Sequence, residues 1–237
     1  MNHIDMPDSL LIGRWDESAL NTDTDAHTFT YDDELSELPI QLSAQEASGN
    51  RTVVVRSGDE IRINALLDDS LCRVLIGEAT FIDEDLIKRL VDRFGSERIG
   101  LWLPVQLFES NWSLDSESNA DFNVIAVTNP VPRWNLLDTA GEPRDIDAFY
   151  YAKKMIAQGA GAVMLEVSNP QDEDLTVCAE LSEVLGDKLW LSSNENEWDY
   201  WVRYSGVTRL VLPRDDALDL SRLEVVVEER EPLEDIA

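Results

Sequence analysis

The sequence predicts an α/β fold in which about eight strands, most of them followed by helices, close into a parallel barrel. Three observations carry this. The stretch Asp59–Leu103 reads helix, strand, helix, strand with short joints, which is the pattern of parallel β/α units. The same alternation resumes near Asp145 and runs to Leu212. The strand count that results suits a closed ring better than an open sheet.

Taken in order, Leu10–Trp15 is a short apolar run and a first strand. Residues 17–37 are polar and acidic and read as a long loop, with a small hairpin around His27–Tyr31. Leu38–Leu42 and Thr52–Arg56 have strand composition, with only nine residues between them. A parallel crossover needs roughly a dozen residues. The N-terminal quarter of the barrel is therefore expected to be irregular or truncated, with barrel flank left uncovered.

From Asp59 the pattern is regular. Ile61–Leu67 suits a helix and Arg73–Ile76 a buried strand closed by Gly77. Asp83 is the expected N-cap of a helix whose apolar face is Leu86, Ile87, Leu90, Val91 and Phe94, with Gly95 as its stop. Arg98–Leu103 is the next strand. Residues 104–144 form an insertion with apolar patches at Phe122–Val127 and Trp134–Leu137, and long insertions in compact domains tend to be functional or to cover something. Asp145–Gln158 reads as helix, Val163–Val167 as strand, Asp172–Leu185 as helix and Leu189–Leu191 as strand. Glu195–Tyr204 then reads as helix and Arg209–Leu212 as strand. The expected organisation is one barrel over residues 1–215 and an acidic tail over 216–237.

Composition narrows the partners. The formal net charge is −29, and only four of the 19 basic residues are lysine. An acidic, lysine-poor surface stays solvated at high salt, where screening confines repulsion to a few ångströms. It also lacks the basic face that nucleic-acid binding requires. No apolar run approaches the ~18 residues that suggest a membrane span, and the N-terminus lacks the pattern of a signal peptide. Cys72 and Cys178, without metal-ligand spacing, suggest buried thiols in a reducing, cytoplasmic setting. The two histidines, His3 and His27, are too few for a metal triad and read as solvent-exposed. No P-loop, nucleophile elbow or dinucleotide fingerprint is present, and no cofactor is expected.

The words of the central stretch are more specific. Leu67-Asp68, Arg73-Val74-Leu75-Ile76-Gly77, Asp85-Leu86 and Arg93-Phe94-Gly95, together with Ala157–Leu165, resemble in order and spacing the HisA/HisF family of histidine-biosynthesis barrels. The likeness covers roughly residues 52–212. It implies a TIM-type (β/α)8 barrel of the ribose-phosphate-binding kind. It also implies an isomerase-like site with one aspartate after the first strand and another after the fifth. The first falls on Asp16 and the second on Pro104. Proline carries no titratable group, so the two-aspartate mechanism cannot run here unchanged. The family's glycine-rich phosphate loops are altered as well: they become Arg56-Ser57-Gly58 and Ser192-Ser193-Asn194-Glu195, and Glu195 would repel a phosphate.

The candidate catalytic carboxylates are Asp16, Glu78 and Glu166. Glu166 is singled out because a carboxylate inside the apolar strand Val163–Val167 must be paired or have a raised pKa. The candidate anion-binding residues are Arg56, Ser57, Gly58, Ser192, Ser193 and Arg214; Glu109 and Asp215 are weaker acidic candidates. Trp112 and Trp134 could form a ligand lid or a subunit contact. Two functions follow as expectations. One is a divergent barrel with altered chemistry, performing isomerase- or lyase-type proton transfer on a small anionic metabolite. The other is a non-catalytic barrel serving as a binding or assembly subunit, as a homo-oligomer or with a protein partner.

Overall fold

The computed structural model describes residues 10–15, 27–33, 51–110, 131–168, 170–193 and 198–212. Its strands in chain order are β1 (Leu11–Trp15), β2 (His27–Tyr31), β3 (Arg51–Val55), β4 (Arg73–Ile76) and β5 (Ile99–Ser110). They continue as β6 (Val131–Leu137), β7 (Pro143–Asp147), β8 (Ala162–Val167), β9 (Leu189–Ser193) and β10 (Arg209–Leu212). Eight of them form a closed ring in the order β1-β2-β3-β4-β5-β8-β9-β10, with β10 paired back to β1. Every pairing round that ring is parallel. With helices between the strands, this is a TIM-type (β/α)8 barrel. β6 and β7 lie outside the ring as an antiparallel extension of β5.

Helices α1 (Glu60–Asp69), α2 (Ala79–Ile82), α3 (Leu86–Phe94), α4 (Ala148–Ala157), α5 (Asp172–Leu185) and α6 (Trp198–Tyr200) stand between the strands, and α6 runs on as a π turn over Trp201–Ser205. Local chemistry explains their ends. The Asp59 carboxylate accepts from Arg62 N–H at 2.9 Å to start α1. Asp147 does the same for α4 through Tyr150 N–H at 2.8 Å. Gln171 and Asp174 form a reciprocal capping box on α5.

Several boundaries differ from the sequence reading. His27–Tyr31 is no hairpin but the second barrel strand, parallel to β1 and β3. Its alternating His-Thr-Phe-Thr-Tyr pattern turns Phe29 into the barrel interior. Leu38–Leu42, expected to be that strand, lies outside the described residues. The link from β2 to β3 is thus residues 32–50, long enough for a crossover, so the connection is not the shortened one the sequence implied. Asp83 does not cap the longer helix. It closes α2, and its carboxylate accepts from Asp85 N–H at 3.1 Å while pairing with Arg89. α4 begins at Ala148 because Pro143–Asp147 is already committed to β7. The 104–144 insertion begins as a direct continuation of β5, and its residues 111–130, Trp112 among them, lie outside the described set.

Two separate apolar cores result. The outer one packs α1, α3, α4 and α5 against the ring. The inner one fills the barrel with Phe29, Val54, Leu75, Trp102, Met164 and Trp190, together with Ala162 and Val211. Following register partners round the ring sorts the inner side chains into layers contributed by alternate strands, as this fold requires. Phe29, Leu75, Met164 and Val211 make one layer, and Trp15, Val54, Trp102 and Ser192 the next towards the strands' C-terminal ends. The barrel is therefore solid, and chemistry is confined to its two ends. Among the described residues, no helix is long and apolar enough to cross a membrane.

Candidate active site

At the C-terminal mouth, strand alternation places five inward positions side by side. Trp15 ends β1, Tyr31 ends β2, Trp102 lies on β5, Glu166 on β8 and Ser192 on β9. Glu166 pairs in register with Pro104 on one side and Ser192 on the other. Its Oε2 accepts two hydrogen bonds, from Trp102 Nε1–H at 2.6 Å and Tyr31 Oη–H at 2.9 Å. Bonds of this kind to an ionised carboxylate are roughly twice as strong as neutral ones. Both bonds from described residues fall on one oxygen, Oε2.

Aromatic packing surrounds this carboxylate. Trp15 stacks on Tyr31 with ring centroids 4.3 Å apart and planes 18° off parallel. The Trp15 Nε1–H donates to Ser192 Oγ at 3.2 Å. Tyr31 also meets Trp102 edge-on at 6.4 Å. Gly77 makes this possible: a Cβ there would sit 2.8 Å from Trp102 Cε3 and 2.6 Å from the Arg56 carbonyl oxygen. Glycine closes β4 because the indole and the neighbouring backbone occupy the space of a side chain.

A cation stands beside the group. The Arg56 guanidinium lies 4.4 Å over the Tyr31 ring, pairs with Asp33, and is within electrostatic reach of Glu166. Asp32 is buried beside it, its carboxyl raised above the usual range by burial, with Arg62 at 3.6 Å opposing that shift.

The structure therefore joins three of the residues singled out from sequence, Glu166, Arg56 and Ser192. Glu78 is used differently: its Oε1 accepts from Thr139 N–H at 3.1 Å and Thr139 Oγ1–H at 3.0 Å, with Arg144 at 3.7 Å. It ties the β6–β7 turn to the barrel rim. Ser57 is exposed, and Gly58 stands where a Cβ would lie 2.9 Å from Val55 Cγ1. Ser193 ends β9, half-buried, in register with Val167. Asp16, Arg214, Asp215, Asn194 and Glu195 lie outside the described residues, as does Glu109's side chain. Trp134 is no lid. It is 1% exposed on β6 and donates its Nε1–H to the buried Asp174 carboxylate. His27 is half-buried at the opposite end of the barrel, not solvent-exposed, and its pKa is lowered by burial and by Arg73 and Arg209.

Sequence reasoning missed Trp15, Tyr31, Trp102 and Asp32. The signal for three of them was present: period-two alternation carries Trp15, Tyr31 and Trp102 inward at strand ends. Among the described residues, no three His, Cys, Asp or Glu side chains gather as a metal-ligand set. No family model matches the chain.

Proposed function

We propose that the barrel mouth binds a small anionic metabolite and transfers a proton on it, with Glu166 as acid or base, in a divergent relative of the HisA/HisF barrels whose chemistry has changed. One observation carries this reading: a carboxylate at the C-terminal end of a barrel strand, held through a single oxygen by Tyr31 and Trp102. Active sites of this fold stand at that end. Fixing one oxygen leaves the other to meet a substrate proton in a set direction. Tyr31, bonded to the same carboxylate, is placed to relay or stabilise charge. Arg56 supplies the positive charge for the anion, at the cost of loosening Asp33. The stacked Trp15–Tyr31 pair gives the mouth an apolar wall against which a planar group would lie.

Kinship with the HisA/HisF barrels is supported by the order of their strand and stop motifs, which here fall on α1, β4, α3 and β8. With Pro104 at the second aspartate position, proton transfer would rest on Glu166, one strand further on and its register partner. The test is exchange of carbon-bound hydrogen for deuterium in D2O across a panel of sugar phosphates and short oxoacids. Wild type should catalyse exchange on one of them, and Glu166→Gln should lower the rate at least ~100-fold, the range of general acid–base contributions. Equal exchange by Glu166→Gln, or none by wild type, would sink the enzymatic reading.

A second reading, an assembly subunit, is favoured by Ile82 and Tyr150, which are 85% and 70% exposed. They flank the Phe81–Tyr151 packing between α2 and α4. Sedimentation of wild type against Ile82→Asp tests it; a unimolecular wild type would remove it.

A further inference from the structure

The foot of the barrel, at the strands' N-terminal ends, holds a second group that the proposed mouth chemistry does not use. Register places His27 of β2, Arg73 of β4 and Arg209 of β10 in one layer, with Ala162 of β8 as the fourth, small member. Trp190 lies in the layer directly above. Its ring is 5.4 Å from the His27 ring and 5.6 Å from the Arg209 guanidinium carbon. Three basic side chains thus converge on one end of a chain whose net charge is −29.

Their charges are poorly answered. Arg73 Nε–H donates to the Glu97 backbone oxygen at 2.9 Å, and among the described residues no carboxylate lies within 4 Å of its guanidinium. Among the described residues, Arg209 pairs with Asp187 alone, at 4.0 Å and 84% exposed, which is a weak partner. Burial and the nearness of Arg209 both disfavour the charge on Arg73, and the Glu97 carboxylate opposes them only in part. A further observation is Trp190, which is 1% exposed and whose Nε1–H is buried with no acceptor among the described residues. Buried donors are almost always satisfied, and an orphan calls for an explanation. Like charges held near each other with only partial access to water call for a counter-charge.

We propose that the foot of the barrel is a binding site for a small inorganic anion, held by Arg73 and Arg209 with His27 and the Trp190 ring at its edge. The site is small because each layer is one side chain deep and the layer above is filled by Trp190. It is remote from Glu166, since the Phe29 and Trp102 layers stand between, so its success or failure does not bear on the mouth.

The test uses the full chain, with chloride and inorganic phosphate titrated against gluconate at equal ionic strength, so that general screening of the acidic surface is matched. Thermal midpoints should rise saturably with chloride or phosphate and not with gluconate. Arg73→Gln should weaken the apparent affinity roughly tenfold or more, as loss of a charged hydrogen-bond donor does. Arg93→Gln, which breaks the exposed pair with Asp68, should leave it unchanged. Broadening of the 35Cl resonance by wild type, reversed by phosphate, gives a second readout that needs no variant. The proposal is overturned if the midpoint follows ionic strength alone, if Arg73→Gln responds like wild type, or if chloride shows no broadening that phosphate displaces.

Discussion

Trp102 donates its indole N–H to the Glu166 carboxylate at 2.6 Å across the seam between β5 and β8. Both are interior residues of adjacent parallel strands, so the bond locks the mouth to the core beneath it. Trp102→Phe leaves the partly buried carboxylate with one donor fewer and a small void beside Gly77. It should cost about 1–3 kcal/mol of stability by urea denaturation. The double variant with Glu166→Gln should cost less than the sum of the two singles, because the orphaned charge is gone.

Asp174 holds a comparable position in the outer layer. Its carboxylate accepts from Trp134 and, in the capping box, from Gln171 N–H at 2.7 Å. Asp174→Ala should destabilise by about 2–4 kcal/mol, combining a lost cap with a buried indole left unpaired. A loss under about 1 kcal/mol in the same denaturation assay would show that water replaces the carboxylate.

Two glycines should lose stability to a methyl group for different reasons and by different amounts. Gly161 sits where a Cβ would lie 2.0 Å from the Ser96 carbonyl oxygen, so Gly161→Ala must move backbone and should cost more than ~2 kcal/mol. Gly141, with φ of +83° in the β6–β7 turn, has open space around it. Gly141→Ala should therefore cost only the ~1–2 kcal/mol of left-handed strain. Paired thermal melts distinguish them.

Tyr151 reports alkaline stability. Burial pushes its phenol up to about 12 from an ordinary 10.0, while its hydrogen bond to Thr80 at 2.8 Å acts the other way. The folded state thus holds this proton more tightly than the unfolded chain. The resulting stabilisation is complete below pH 10 and is lost as pH rises from 10 towards 12. Over that window Tyr151→Phe should lose less stability than wild type, measured as the difference between their denaturation midpoints.

The thiols should be silent in the native state. Cys178 is wholly buried and pushed up to about 12, and Cys72 is raised as well, both chiefly by burial. A thiol reagent at pH 8 should find neither cysteine until denaturant is added, and then both.

The fold was legible because helical and strand periods are written in residues that pack. Val74-Leu75-Ile76, the α3 face from Leu86 to Phe94, and the glycine stop at Gly95 recur in the structure at the positions their spacing implied. β2 was hidden because its five residues carry two threonines and a histidine, and the polar, acidic sequence on each side drowns the alternation. The mouth was legible where a charge stood among apolar residues, as at Glu166. It was illegible where the functional groups were aromatic, because Trp15, Tyr31 and Trp102 look like core until strand ends are placed in space. Glu78 shows the reverse error: a carboxylate directly after a barrel strand can be spent on the Thr139 turn.

A closed ring of strands offers no edge for a neighbouring chain to pair with, and this chain gives up part of that protection by growing β6 and β7 out of β5. The outer rim of β7 is the place where a stranger's strand would add. Its residues are Pro143-Arg144-Asp145-Ile146-Asp147: a proline that donates no ladder bond and three charges in five positions. The appendage thus carries its own insurance against cross-chain sheet growth, written into the five residues that need it most.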